Sequence, residues 1–72
     1  MHGALPRTTS GFIETIEPTG VVFVREDRSN KLGFIETTTP IETNAKLRPG
    51  MHLSMSVWDE GNVMVVQSAC AA

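Results

Sequence analysis

The side chains best suited to chemistry in this sequence are three aromatics and three bases. Phe23, Phe34 and Trp58 sit in short β-forming runs, at positions expected to face outward. An exposed ring there would stack on an unpaired base for about 1–3 kcal/mol. Arg25, Arg28 and Lys31 gather around the turn after the second run, where they would reach a phosphate backbone. The structural alternative is that the rings cap a small core and that Glu26 and Asp27 neutralise the bases. Other chemistries lack their residues. His2, His52 and Cys70 are too scattered for a metal site. Serines occur without a paired base, and no motif places two carboxylates together. The expectation is therefore no catalytic residue, no metal, no cofactor and no enzyme activity.

The elements that must position these groups read as strands. Gly11-Phe12-Ile13-Glu14-Thr15-Ile16 breaks strict alternation, because Ile13 and Ile16 are three apart. A bulge or bend would return both to one face. Glu17-Pro18-Thr19-Gly20 is a turn. In Val21–Arg25, Val22 and Val24 share one face while Val21, Phe23 and Arg25 share the other. A polar hairpin loop, 26–31, leads to Leu32–Glu36, with Ile35 inward and Phe34 outward. Thr39-Pro40-Ile41-Glu42 has the form of a capping box with proline at the first helical position, so a short helix over 40–45, or a single turn, is expected. Met51–Trp58 alternates cleanly, with Leu53, Met55 and Val57 inward. Asp59-Glu60-Gly61-Asn62 is a hairpin turn. Val63–Gln67 is apolar on both faces, which leaves its register open. Gly-Phe-Ile-Glu-Thr occurs at 11–15 and again at 33–37. The simpler explanation is two strands drawing on the same β-formers.

This order of elements predicts one all-β domain, a five-stranded OB-type barrel over 11–67 with a short helix or turn between strands three and four. An SH3-like barrel is the alternative. Residues 1–10 and 68–72 read as tails. Seventy-two residues make a thin core. One cysteine permits no internal disulfide, so packing and closure must hold the barrel. No signal-peptide, lipidation or transmembrane pattern is present, and a cytoplasmic protein without membrane contact is expected. The formal charge is −2, against the basic excess usual for nucleic-acid binders.

The strands resemble a known family. Gly11-x-Ile13-x-x-Ile16, Gly20, Phe23-Val24, Gly33-Phe34-Ile35 and Pro49-Gly50-x-x-Leu53-x-Met55-x-Val57 follow the order of ribosomal-protein S-one-type RNA-binding repeats. Residues 47–65 are similar to the end of a cold-shock domain, and 11–24 to the start of bacterial translation initiation factor one. The resemblance implies binding of single-stranded RNA, or less readily DNA. Phe23 and Phe34 would be the stacking residues, with Trp58 at the rim and Arg25, Arg28 and Lys31 on the backbone. Glu36 stands where that family commonly has histidine. The second expectation is a protein-interaction barrel, an adaptor or a homodimer with Met64 and Val66 buried between copies.

Overall fold

The computed structural model describes residues 5–72. Six strands run in the order β1 (Arg7–Ile16), β2 (Val22–Glu26), β3 (Leu32–Ile35), β4 (Ile41–Glu42), β5 (His52–Glu60) and β6 (Val63–Ala71). All lie in one sheet of order β3-β2-β1-β5-β6-β4, and a further β3–β6 pairing joins its ends. Five strands thus close a barrel of the OB type, and β4 lies beside the far half of β6. Closure leaves no long unpaired edge, which a thin core cannot protect.

Strand β1 makes closure possible by serving two neighbours in turn. Arg7–Phe12 pair with β5, and Gly11–Ile16 pair with β2. The handover falls at Gly11, where a Cβ would stand 2.2 Å from the Arg25 carbonyl oxygen. No side chain fits there. A bulge at Glu14 follows, since Ile13 pairs with Val24 and Thr15 with Phe23. The bulge turns Ile16 back toward the core, as the three-residue spacing predicts. Closure itself is the parallel pairing of Leu32–Phe34 with Val63–Val65. The chain turns between β5 and β6 at Gly61-Asn62, with Gly61 at φ 64° as a two-residue hairpin requires.

The core consists of Ile13, Val22, Val24, Ile35, Leu53, Met55, Val57, Met64, Val66 and Ala69, drawn from every barrel strand. Met64 and Val66 lie inside the barrel and not between copies. A second bulge fixes the register that the sequence leaves open. Ser56 pairs with Ser68 but Val57 with Val66, so Gln67 is the extra residue and the inward series becomes Met64, Val66, Ala69.

Three expectations are corrected. Residues 40–45 form no helix. Ile41 and Glu42 pair in parallel with Ala69 and Cys70, and the Ala69 N–H donates to the Pro40 carbonyl. The threonines around this segment favour extended backbone, and Ile41 gains burial against the core as a strand. Residues 7–10 are strand, not tail, because β5 supplies a ladder for them. The same applies to 68–71, which β5 and β4 flank. His2 lies outside the described residues, of which no helix is long and apolar enough to cross a membrane.

At one barrel end the inward-facing series continues into charge. Glu26 follows Val22 and Val24 on β2 and is buried. The Arg7 guanidinium donates to it at 2.7 Å and to both Asp59 oxygens at 2.7 and 2.9 Å. Thr9 and Ser29 hydroxyls also donate to Glu26, and Lys31 Nζ to Asp59 at 2.7 Å. No buried side-chain nitrogen or oxygen among the described residues lacks a partner. The Arg7 hydrogen bond, helped by Ser29 and Thr9, outweighs burial and holds the Glu26 carboxyl down at about 2, against an ordinary 4.5. Asp59 is held well below the usual carboxylate range by Arg7 and then Lys31. Arg7 is raised in turn, by Asp59 first and Glu26 second.

Two outcomes follow. Gly11→Ala should cost roughly 3 kcal/mol or more, because the clash is with backbone that cannot yield. Gly61→Ala, strained only by its φ, should cost about 1 kcal/mol. Urea unfolding compares them, and equal costs would contradict the argument. Lowered carboxyl pKa values mean stability present at neutral pH and lost as pH falls below the unfolded value. The thermal midpoint should therefore drop between pH 4.5 and 2. Glu26→Gln should lower the midpoint at pH 6 and flatten that acid slope; an unchanged slope would remove Glu26 from the account.

Candidate functional site

The barrel gathers the residues singled out above onto two different exterior faces. On the first face, cross-strand pairing runs Phe23–Phe34–Val65–Trp58 over β2, β3, β6 and β5. All four are half-buried and alternate with core residues, so they point outward. Leu32 and Val63 extend the apolar row toward the β5–β6 turn. The three predicted aromatics therefore do share one face. Phe12, the fourth aromatic, is more exposed and stands on β1 between Arg25 and His52.

Two of the three bases proposed for this face are committed. Arg25 Nε donates to Glu14 at 2.5 Å and its Nη1 to the Asn30 carbonyl at 3.1 Å. Lys31 belongs to the Asp59 cluster. Arg28 is exposed in the hairpin loop. A phosphate would have to displace carboxylates from two of the three proposed contacts, and Glu36 adds a carboxylate one step beyond Phe34 on the same side. Such a face disfavours a polyanion.

The second face is hydroxyl-rich. One row runs Ser10–Ser54–Cys70–Glu42 across β1, β5, β6 and β4, and a second runs Thr8–Ser56–Ser68. His52 lies at its margin. Its Nε2 is 2.6 Å from Asp27 Oδ2, which also accepts from the Ser10 hydroxyl at 3.1 Å. Cys70 is exposed and stands beside Glu42 in register. Both border a shallow groove completed by Ile41, Thr43, Asn44 and Ala71. Sequence reasoning missed this pairing, since only the strand form of 41–42 brings Glu42 next to Cys70.

The possible soft donors divide by accessibility. Met55 and Met64 are sealed in the core, Met51 is half-buried against it, and the Cys70 thiol faces solvent. Among the described residues no three His, Cys, Asp or Glu side chains converge on a point. The groove by β4 thus presents two side-chain donors of the metal-binding kind, a sulfur and a carboxylate.

No family model matches the chain, and no curated protein does. The S-one-type and cold-shock assignments therefore have no match behind them, and what stands of the resemblance is the barrel. The chain is similar to solved structures of CusF from Escherichia coli. A copper(II) form of a tryptophan-to-alanine variant superposes with a TM-score of 0.65 at 13% identity, covering 100% of this chain and 99% of that one. The apo protein gives 0.56 at 16% identity, over 100% and 95% of the two chains. The silver(I) form gives 0.54 at 13% identity, over 99% of each. These likenesses support the fold. Of these three structures one is named for copper(II), one for silver(I) and one is apo; none is named for a nucleic acid, and the expectation of RNA or DNA binding is corrected. With Arg25 and Lys31 engaged by carboxylates and Met64 and Val66 internal, the nucleic-acid reading and its alternative, a protein-interaction barrel or homodimer, are both withdrawn.

Proposed function

We propose that this barrel is a binding protein for a soft metal cation rather than an enzyme, with Cys70 as the sulfur donor and Glu42 as its neighbour. The observation that carries the reading is the register of β4 on β6. It sets an exposed thiol and a carboxylate side by side in one groove. Thiolate sulfur favours copper(I) and other soft ions, and binding deprotonates the thiol. Structural zinc asks for four ligands, and this groove offers fewer side-chain donors. The silver(I) form of the similar CusF barrel supports the same class of ion. The net charge of −2 favours a cation over an anion.

Native mass spectrometry with silver(I) tests the proposal. One equivalent should bind the intact chain, Cys70→Ser should abolish that adduct, and Glu42→Gln should weaken it roughly ten-fold. Stoichiometric silver on the Cys70→Ser chain, or none on the wild type, would overturn it.

A further inference from the structure

The first four residues of β1 are held by backbone on one side and mainly by side chains on the other. Arg7–Ser10 have a backbone ladder with β5 alone, whereas Gly11 and Phe12 pair on both sides. On the open side, carboxylates replace most of the missing ladder. Arg7 and Thr9 donate to Glu26, Ser10 donates to Asp27, and one backbone bond runs from the Asp27 N–H to the Ser10 carbonyl. Arg7 also reaches across the barrel end to Asp59, and its Nη2 lies 3.6 Å from the Met64 sulfur. Met64 has no exposed surface.

We propose that Arg7–Ser10 is a strap that opens as a local unit, latched by Arg7 on Glu26 and Asp59, and that its opening uncovers the Met64 thioether. A segment laddered on one side and held by side chains on the other opens at lower free energy than strands paired on both. The uncovered group is a soft, oxidisable sulfur that the closed barrel hides. This inference is independent of the Cys70 groove.

The latch is acid-sensitive. The groups facing it are Arg7 from β1, Glu26 from β2, Asp27 and Lys31 from the hairpin loop and its end, and His52 and Asp59 from β5. Met64 of β6 carries no charge. Protonating Glu26 and Asp59 removes the acceptors of Arg7. It also leaves Arg7 and Lys31 facing each other without the carboxylate that joined them. Opening therefore grows as pH falls below 4.5 toward 2, where the Glu26 carboxyl titrates in the closed form.

Peroxide oxidation of methionines, read by peptide mapping beside amide hydrogen exchange, tests this on the full chain. Arg7→Ala should raise the oxidation rate of Met64 roughly ten-fold or more, the change in open population that loss of a charge-assisted hydrogen bond brings. Exchange in the β2–β3 peptides should stay unchanged. The wild-type chain needs no substitution: Met64 oxidation should rise between pH 6 and pH 3 ahead of β2–β3 exchange. If Met64 oxidation and β2–β3 exchange rise together in both experiments, the barrel unfolds as a whole and there is no strap. If Met64 stays protected in both, Arg7 is not its latch.

Discussion

Strand β1 has to lie against β5 for its first half and β2 for its second, and the barrel exists because it can. A flat strand would pair with both along its length and leave the sheet open. Absence of a side chain at Gly11 lets the strand pass within contact of the Arg25 carbonyl. The extra residue at Glu14 then adds twist, and Ile16 returns to the core. Once β1 is bent, β3 and β6 come close enough for the parallel pairing that shuts the barrel. Gly33 leaves room for the Met64 side chain, whose flexible end would have to shift for a Cβ there. Ten buried residues make a small core, so closure supplies the protection from solvent that bulk does not.

Charge at one barrel end is the second consequence. Inward positions that would carry aliphatic side chains deeper in the barrel carry Arg7, Thr9, Glu26 and Asp59 there. Burying a carboxylate is costly unless its oxygens are matched, and Glu26 is matched by a guanidinium and two hydroxyls. The cluster also draws cations inward. Arg7 and Lys31 spend their charge on Glu26 and Asp59, and Arg25 spends its own on Glu14. Three of the chain's six bases are committed in this way, which lowers the positive potential left to offer a polyanion.

Alternation made much of the fold legible. Leu53, Met55 and Val57 face inward as the pattern of their run requires, and so do Val22, Val24 and Ile35. The irregular spacing of Ile13 and Ile16 announced the bulge. Reading failed where a local signal competed with a distant partner. The capping-box pattern at Thr39–Glu42 is real, yet the ladder offered by Ala69 and Cys70 wins over a helix of one turn. Residues 68–71 have weak strand character, and their order comes from β5 and β4. Arg7 looked like tail because its partners, 19 and 52 residues away, are invisible to local pattern. Glu26 was legible in principle, since it continues the inward series Val22, Val24. Phe23 and Phe34 point outward as the alternation of their runs suggests, but their neighbours' charges depend on pairings that only the folded register reveals.

A shared barrel does not carry a shared ligand. Surface composition of each face decides what can approach it. The aromatic face of this barrel keeps its apolar row and has paired off Arg25 and Lys31, so stacking would come without the phosphate contacts that dominate nucleic-acid affinity. The second face presents small hydroxyls, a solvent-exposed thiol at Cys70 and the Glu42 carboxylate beside it in register. A large apolar partner finds few side chains to bury among those hydroxyls. A small soft cation needs no such area, only a sulfur and an oxygen beside it. The β4–β6 pairing thus matters more to the chemistry of this surface than its two residues suggest, because without it the thiol has no carboxylate neighbour.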